Sequence, residues 1–347
     1  MGLLYAFLLS ALLLSGCSPL YVLRAAYEEG KILWRREAIE KVLERPDLDP
    51  ESREKLKLVL AVREYAQEPL KFKVGGSYAS YSYVDRPVLS YILMAASKTD
   101  LRPYTWWFPL VGKLPYKGFF SEAAVKAEAE RLQSQGYDIY IRTAAAFSTL
   151  GWFDDPVLAH LLKLDRATLA EVIFHELFHN TFFMKGAVDF NESLANFIGH
   201  QAATLFFRDR YPESSPEHGL ALKRWQEELE LSTFISGMAR SLMGLYDKDL
   251  PLEEKLRSRT EIFSQSQEEW SRQIADRPAH QYRRFAKEEI NNAVLAHYLL
   301  YLRELELFEA LYQAEGKDLA RFVQRIGESI RDAEDPFEAV RGLLKQR

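Results

Sequence analysis

Several features are scarce in this chain, and each absence narrows its class. Cys17 is the only cysteine among 347 residues, so a disulfide framework is excluded. Beyond the N-terminus no run of eighteen apolar residues occurs, so we expect no membrane-spanning helix there. The formal net charge of −5 gives no electrostatic basis for binding nucleic acid. Repeats and low-complexity tracts are absent, and the composition, 48% hydrophobic and 27% charged, is that of a globular protein.

Residues 1–16 are predicted to be an export signal, because their apolar run is too short to span a bilayer comfortably. Leu14-Ser15-Gly16-Cys17 resembles the bacterial lipobox, in which the cysteine becomes the lipidated first residue of the mature chain. Acylation explains a lone thiol in an exported protein; the alternative is a cleaved signal with an idle cysteine. The resemblance implies a lipid anchor in the bacterial envelope. The next residue, Ser18, resembles the one at that position in lipoproteins that are sent to the outer membrane. This resemblance implies a protein anchored in the outer membrane and facing the periplasm.

The stretch that organises the chain is a helix predicted from Asp165, a good N-cap, to Gly186. It contains the sequence HELFH, with His175 and His179 four residues apart. Side chains at this spacing share a helical face, so both imidazoles can reach one cation. Glu176 points about 100° round the helix, beside the ion and within reach of a water proton. The pattern predicts a zinc site with a carboxylate base.

The third ligand has a candidate on the next predicted helix, which opens with the sequence NESLAN from Asn191. Two antiparallel helices with a short connection can place Glu192 opposite the histidine pair. HELFH followed by NESLA resembles the gluzincin metallopeptidases, whose third zinc ligand is a glutamate. The twelve residues between His179 and Glu192 form a shorter spacer than in the common aminopeptidases.

A plain alternative is a surface helix with two solvated histidines and an unrelated Glu192. The helix is apolar around the motif, with Ile173, Phe174 and Leu177 among its residues. Burying histidines and a glutamate there without partners would cost several kcal/mol. The sequence therefore favours a metal site.

The fold class is predicted to be α+β, with a mixed or antiparallel sheet packed on a mainly helical unit that carries the HELFH helix. We expect one domain over residues 17–347: N-terminal helices at 17–70, the sheet region at 71–150 and a helical metal-binding region at 151–347. Alternation and β-branched runs predict strands, and Gly112-Lys113 is predicted to join two of them. One long helix is predicted from Arg283 to Tyr312. The predicted strands are 77–83, 88–95, 106–111, 115–120 and 138–146.

The resemblance extends over nearly the whole chain. The lipobox, GSYASY, TWWFPLVGKLPYKGFFSE, STLGWFDDP, HELFH, NESLANF and INNAVL together resemble the predicted aminopeptidase family of bacterial lipoproteins. That family commonly has two cysteines flanking its FP-x-x-G segment, where this chain has Trp107 and Lys113. The resemblance implies a peptide substrate and a zinc cofactor, and it names no protein partner.

The expected chemistry is metal-assisted amide hydrolysis. Glu176 would take a proton from zinc-bound water and pass it to the leaving amine. A second donor is needed for the developing oxyanion, and the candidates are His297, Tyr298 and Tyr301. By analogy with thermolysin-like sites, a strand edge at 144–149 would hold an extended peptide. The remaining histidines are expected to be solvated or packing residues, with His200 also considered as a flank of the site; they are His160, His200, His218 and His280.

Two other functional classes stay open. The first is an endopeptidase of the envelope, because the sequence has no G-x-M-E-N-like anchor for a free α-amine. The second is a non-enzymatic lipoprotein with a structural zinc. Glu176 argues against the second class, since a purely structural site has no use for it.

Overall fold

A computed structural model describes residues 19–84, 86, 88–108, 112–144, 154–331 and 333–345. The predicted export signal, Cys17 and the proposed peptide-holding edge beyond residue 144 lie outside the described residues. Within them the α+β prediction is confirmed: most residues are helical, and the strands form small sheets. No helix of the described part is both long and apolar enough to cross a membrane.

The helices surround a continuous apolar core that runs from Ile39 to Leu343. Two short 3-10 turns lie at Leu161–Lys163 and Arg283–Ala286. In chain order the helices are α1 (Pro19–Trp34), α2 (Ile39–Leu43), α3 (Pro50–Gln67), α4 (Glu122–Ser134), α5 (Arg166–Thr181), α6 (Val188–Arg210), α7 (Pro216–Tyr246), α8 (Leu252–Gln273), α9 (Asn292–Leu302), α10 (Leu305–Ala314), α11 (Leu319–Ser329) and α12 (Pro336–Lys345).

The largest sheet is antiparallel, and Tyr91 in its middle strand pairs with Phe119 on one side and Thr143 on the other. A mixed sheet has order β1-β2-β8, with β2 and β8 parallel, and β4-β5 is a hairpin; the antiparallel sheet has order β6-β3-β7. The strands are β1 (Glu37–Ala38), β2 (Ser80–Ser82), β3 (Tyr91–Ser97), β4 (Trp106–Phe108), β5 (Gly112–Leu114), β6 (Lys117–Phe119), β7 (Tyr137–Thr143) and β8 (Val157–Leu158).

The HELFH helix, α5, lies at the centre of the helical part, in contact with α3, α6 and α7. Helix α4 packs against the antiparallel sheet, and strands β3 and β7 of this sheet also contact α9. Helix α9 therefore links the sheet to the helices that carry the metal motif. The antiparallel sheet and the helices thus meet near α5.

Some sequence predictions are wrong in detail. Helix α5 ends at Thr181 and not at Gly186, because the backbone is already extended at Phe182. The long helix from Arg283 to Tyr312 is broken, because the Asn291 side chain caps α9 and Glu304 adopts a left-handed backbone with φ of 56° between α9 and α10. The segment Gly112-Lys113 is not a connection but part of β5, which pairs with β4. These features depend on local backbone geometry that residue periodicity does not report.

Candidate metal centre

Helix α5 starts as the sequence predicts, at Asp165. The Asp165 carboxylate accepts hydrogen bonds from the backbone N–H groups of Ala167 and Thr168, both at 3.1 Å. Arg224 on α7 forms an ion pair with the same carboxylate at 2.8 Å. Burial alone would raise the pKa of Asp165, but Arg224 and the cap hydrogen bonds lower it to about 2. The cap fixes both the start of α5 and its position against α7.

The NESLAN sequence fixes α6 at several points. Asn191 spans the turn before it, with its amide accepting from the backbone N–H of Met184 at 2.9 Å and donating to the Met184 carbonyl at 2.7 Å. The Asn196 amide donates to the Tyr301 carbonyl at 3.1 Å, and the Ser193 hydroxyl donates to the Leu300 carbonyl at 3.2 Å. The polar residues around Glu192 therefore hold the end of α9 against α6.

Gly199 allows α5 and α6 to approach closely. A Cβ atom at this position would lie 2.8 Å from the backbone oxygen of Glu171 and 3.2 Å from the Cβ atom of His175. The first distance is shorter than any ordinary carbon–oxygen contact, so any side chain here would push the helices apart. The absence of a side chain at Gly199 thus sets the spacing of the helices that carry the metal motif.

His175, His179 and Glu192 come together as the sequence predicts. The two Nε2 atoms are 3.2 Å apart, and Oε2 of Glu192 lies 3.3 Å from His175 Nε2 and 3.7 Å from His179 Nε2. Around a tetrahedral zinc with ligand bonds of about 2.0–2.2 Å, neighbouring ligand atoms lie about 3.3–3.5 Å apart. The three atoms thus have the separations of three corners of a zinc site, and their chemistry of two imidazoles and one carboxylate fits that metal.

The electrostatics of the three groups are those of a strongly interacting set. Burial alone would raise the pKa of Glu192, but the charge of His179 and hydrogen bonds from both imidazoles hold it well below its usual value. Burial alone would lower the pKa of His179, but Glu192 raises it. The carboxylate is therefore ionised at neutral pH, as a metal ligand must be.

Four polar atoms in and around this set have no hydrogen-bond partner among the described residues. Oε2 of Glu176, Nδ1 of His179, Nδ1 of His297 and Nε of Arg142 are all buried, and none has a partner among the described residues. A buried polar atom left unpaired costs about 1–3 kcal/mol, and such atoms in native structures call for an explanation. A site completed by water and a polar ligand supplies one.

Tyr301 stands beside the metal residues. Its ring centroid lies 6.4 Å from that of His175, and its hydroxyl accepts a hydrogen bond from Nη2 of Arg142 at 3.2 Å. Burial and the charge of Glu192 raise the pKa of Tyr301 above its usual value, so the phenol keeps its proton at neutral pH. Tyr116, just before β6, has its pKa raised well above the usual value by burial and then by Glu192.

The other two sequence candidates for an oxyanion donor differ from Tyr301. The hydroxyl of Tyr298 donates to Glu288 at 2.6 Å, so it is engaged away from the metal residues. His297 packs between the rings of Tyr140, at 5.1 Å, and Tyr301, at 5.4 Å. Burial and the charge of Arg142 lower the pKa of His297 to about 3, so its imidazole is neutral at neutral pH.

A second cluster of similar residues lies on α5, α6 and α7. His200 Nε2 is 3.1 Å from Oε1 of Glu171 and 2.8 Å from Oε2 of Glu228. The Glu228 carboxylate also accepts hydrogen bonds from Tyr282, at 2.7 Å, and from Asn196. The sequence analysis missed this cluster, although it considered His200 as a flank. Its three residues lie on three different helices, so no spacing in the sequence predicts that they meet.

The remaining histidines were predicted to be solvated or packing residues, and two of them make hydrogen bonds away from the metal motif. His160 Nε2 pairs with the Arg86 carbonyl at 2.9 Å, and His280 Nδ1 accepts from the backbone N–H of Tyr282 at 3.1 Å. His218 is half-buried in the first turn of α7. None of these three joins a metal-like cluster of the described residues.

A cavity of about 1260 Å³ in the described part is lined by none of the metal-motif residues. Its walls include Leu299 and Leu300 on α9, which carries His297 and Tyr301 at other helical positions, and Arg303 just after that helix. The cavity is therefore distinct from the candidate metal centre.

Comparison with known proteins identifies a family. The model of a family described as "Putative aminopeptidase" matches residues 20–336. No curated protein and no solved structure matches significantly.

Proposed function

The chain belongs to the family described as "Putative aminopeptidase", and on that premise we propose that it is a zinc-dependent peptidase. The family match supports a peptidase in general. The proposal adds zinc held by His175, His179 and Glu192, an aminopeptidase mode, and a lipid anchor in the bacterial envelope through Cys17.

One observation carries the proposal. The three candidate ligand atoms lie 3.2–3.7 Å apart, while Glu176, next to His175 in α5, keeps a buried carboxylate oxygen without a partner. Three ligands leave a fourth position open, which is typical of catalytic zinc sites. A structural site uses four protein ligands and needs no free carboxylate beside them.

Each side chain of the site has a separate role in the proposed hydrolysis. Bound zinc would supply Lewis acidity for the attacking water and the scissile carbonyl. Glu176 accepts a proton at its free carboxylate oxygen and returns it to the leaving amine. Tyr301, a neutral phenol beside His175, donates its hydroxyl hydrogen to the developing oxyanion. Arg142, hydrogen-bonded to the Tyr301 oxygen, favours the orientation in which that hydrogen points away from the guanidinium.

Zinc content and hydrolysis of the Glu176→Gln variant test this proposal. We expect about one zinc per chain and a loss of turnover on the order of 10²–10⁴-fold, because a general base is removed while the ligands stay. Glu171→Gln, on the same helix one turn earlier, is the matched control and should lose far less. Normal hydrolysis by Glu176→Gln, or equal losses in both variants, would contradict the proposed roles.

An endopeptidase is the second candidate, because the sequence has no G-x-M-E-N-like anchor for the α-amine. Hydrolysis of one peptide with a free and an acetylated N-terminus separates the two modes. An aminopeptidase should prefer the free amine by at least about 10-fold, the effect of one charge-assisted contact. Equal rates, or faster cleavage of the acetylated peptide, would replace the exopeptidase mode with the endopeptidase mode.

The anchor has its own test in Cys17→Ser. Stable attachment to a bilayer takes two lipid signals or more, which a lipidated N-terminal cysteine supplies. We expect the variant to be unprocessed or released into the soluble fraction after cell breakage. A variant that is processed at the same bond and stays with salt-washed membranes would contradict the lipoprotein assignment.

A further inference from the structure

Arg142 is a cation beside the metal centre, and it has no anionic partner among the described residues. Its guanidinium donates one hydrogen bond, from Nη2 to the Tyr301 hydroxyl at 3.2 Å, and lies 5.9 Å from the centroid of the Tyr301 ring. Both of these contacts are to Tyr301, and no ion pair joins Arg142 to a carboxylate of the described residues. Its Nε atom is buried and without a partner. A guanidinium presents five N–H donors, so most of its capacity is unused.

The surroundings of Arg142 do not supply a counter-charge. Its charge acts on the side chains of Tyr116, Tyr140, Tyr301 and His297, and it helps to lower the pKa of His297. Glu176, Glu192 and Glu288 act on the same tyrosines, but none of these carboxylates forms an ion pair with Arg142 among the described residues. The following sequence, from residue 145 to residue 153, contains no acidic residue. A partly buried charge without a partner is destabilising. An anionic group of a ligand would relieve that cost.

The position of Arg142 relates this charge to the reaction. The side chain of Tyr301 lies between the guanidinium and His175. Nη2 of Arg142 is 3.2 Å from the Tyr301 hydroxyl oxygen, and the centroid of the Tyr301 ring is 6.4 Å from that of His175. An extended peptide advances about 3.3 Å per residue. A group bound to Arg142 would therefore belong to a residue within about three positions of the scissile bond.

We propose that Arg142 binds a carboxylate of the substrate, so that the metal centre acts on short peptides with a free C-terminus or on peptides with a nearby acidic side chain. This inference rests on the proposed peptidase function and specifies its substrate. Arginine suits the role because its planar fork matches a carboxylate with two parallel hydrogen bonds.

Binding to zinc-loaded Glu176→Gln protein, measured by calorimetry, tests the inference without turnover. The first probe pair is Leu-Ala-Ala as the free acid and as its C-terminal amide. The second pair is amidated Leu-Ala-Glu and amidated Leu-Ala-Gln. A preference in the first pair identifies the terminal carboxylate as the ligand, and a preference in the second identifies the side-chain carboxylate.

We expect the acid in one pair to bind about 10- to 100-fold more tightly than its neutral partner. Adding Arg142→Gln should bring that ratio close to one, and adding Arg142→Lys should restore part of it. The matched control is Arg131→Gln, since Arg131 lies on α4 and pairs with Glu128 at 2.8 Å; it should keep the full ratio.

Three results would overturn the assignment of Arg142: no binding of any probe, equal binding within both pairs, or a preference that survives Arg142→Gln. The last result would place the carboxylate on the metal instead. Hydrolysis by protein with Glu176 intact is scored separately. A protein that binds acids through Arg142 but hydrolyses nothing contradicts the proposed function alone, and one that hydrolyses peptides without this preference contradicts the Arg142 assignment alone.

Discussion

Two clusters built from the same residue types lie close together, one on helices α5 and α6 and the other on α5, α6 and α7, and their surroundings differ. In the first, Glu192 faces the two imidazoles of His175 and His179, and partnerless polar atoms lie nearby. In the second, His200 lies between Glu171 and Glu228. The distances within both clusters allow a metal. Distance and residue type alone therefore do not separate them.

The difference lies in the hydrogen bonds that each cluster already has. Glu228 accepts from His200, Tyr282 and Asn196, so its lone pairs are largely used. Burial lowers the pKa of His200 by itself, but Glu171 and Glu228 raise it to about 9. We therefore expect the second cluster to be a structural ion network and the first a zinc site.

The largest expected difference between the clusters is in the pH dependence of stability. The pKa of His200 is raised in the folded protein to about 9, against about 6.5 in an unfolded chain. Its contribution to the free energy of unfolding is therefore complete below pH 6.5 and is lost as the pH rises to 9. The loss is up to about 3 kcal/mol.

Denaturant unfolding of zinc-loaded protein at pH 6.5 and pH 9 measures this effect. We expect His200→Gln to reduce the fall in unfolding free energy between these two pH values. His218→Gln, at a half-buried position on α7, should keep the wild-type fall. An identical fall in wild type and His200→Gln would show that the second cluster holds no protonated histidine.

A smaller loss of stability is expected from a change at Gly199, because both clusters depend on the close approach of α5 and α6 at this residue. Gly199→Ala places a Cβ atom 2.8 Å from the Glu171 backbone oxygen and 3.2 Å from the His175 Cβ atom. Overpacking of this kind costs about 1–3 kcal/mol, and here it should also weaken zinc binding by moving His175. Gly219→Ala in α7, where nothing lies within 4 Å of the added Cβ atom, should leave both unchanged or slightly stabilise the helix. If Gly199→Ala keeps both its stability and its zinc affinity, the two clusters do not depend on the close approach of α5 and α6 at this position.

The first cluster could be predicted from the sequence because its geometry is nearly local. His175 and His179 share a helical face by spacing alone, and a short connection brings Glu192 back to them. The second cluster joins three helices, and the distance along the chain from Glu171 to Glu228 leaves no periodic signal. Arg142 was missed for the same reason, since its relation to Tyr301 depends on the packing of β7 against α9.

The fold class was predictable for a similar reason, and the element boundaries were not. Asp165 and its apolar repeat set the start of α5 locally. The left-handed backbone at Glu304 separates α9 from α10 although the apolar pattern continues across it. Strand β2 is limited to Ser80–Ser82, because pairing with β1 and β8, not alternation, sets its length.

Zinc stoichiometry of two glutamate variants tests the central claim most directly. Wild type should bind about one zinc per chain, as a site with three protein ligands and an open position does. Glu192→Ala, which removes a ligand, should lose most of this zinc and the stability that binding provides. Glu228→Ala should be destabilised by about 3–5 kcal/mol, because it breaks a buried ion network, yet keep its zinc when folded. Two zinc ions in wild type with one lost in Glu228→Ala, or full zinc content in Glu192→Ala, would contradict the account.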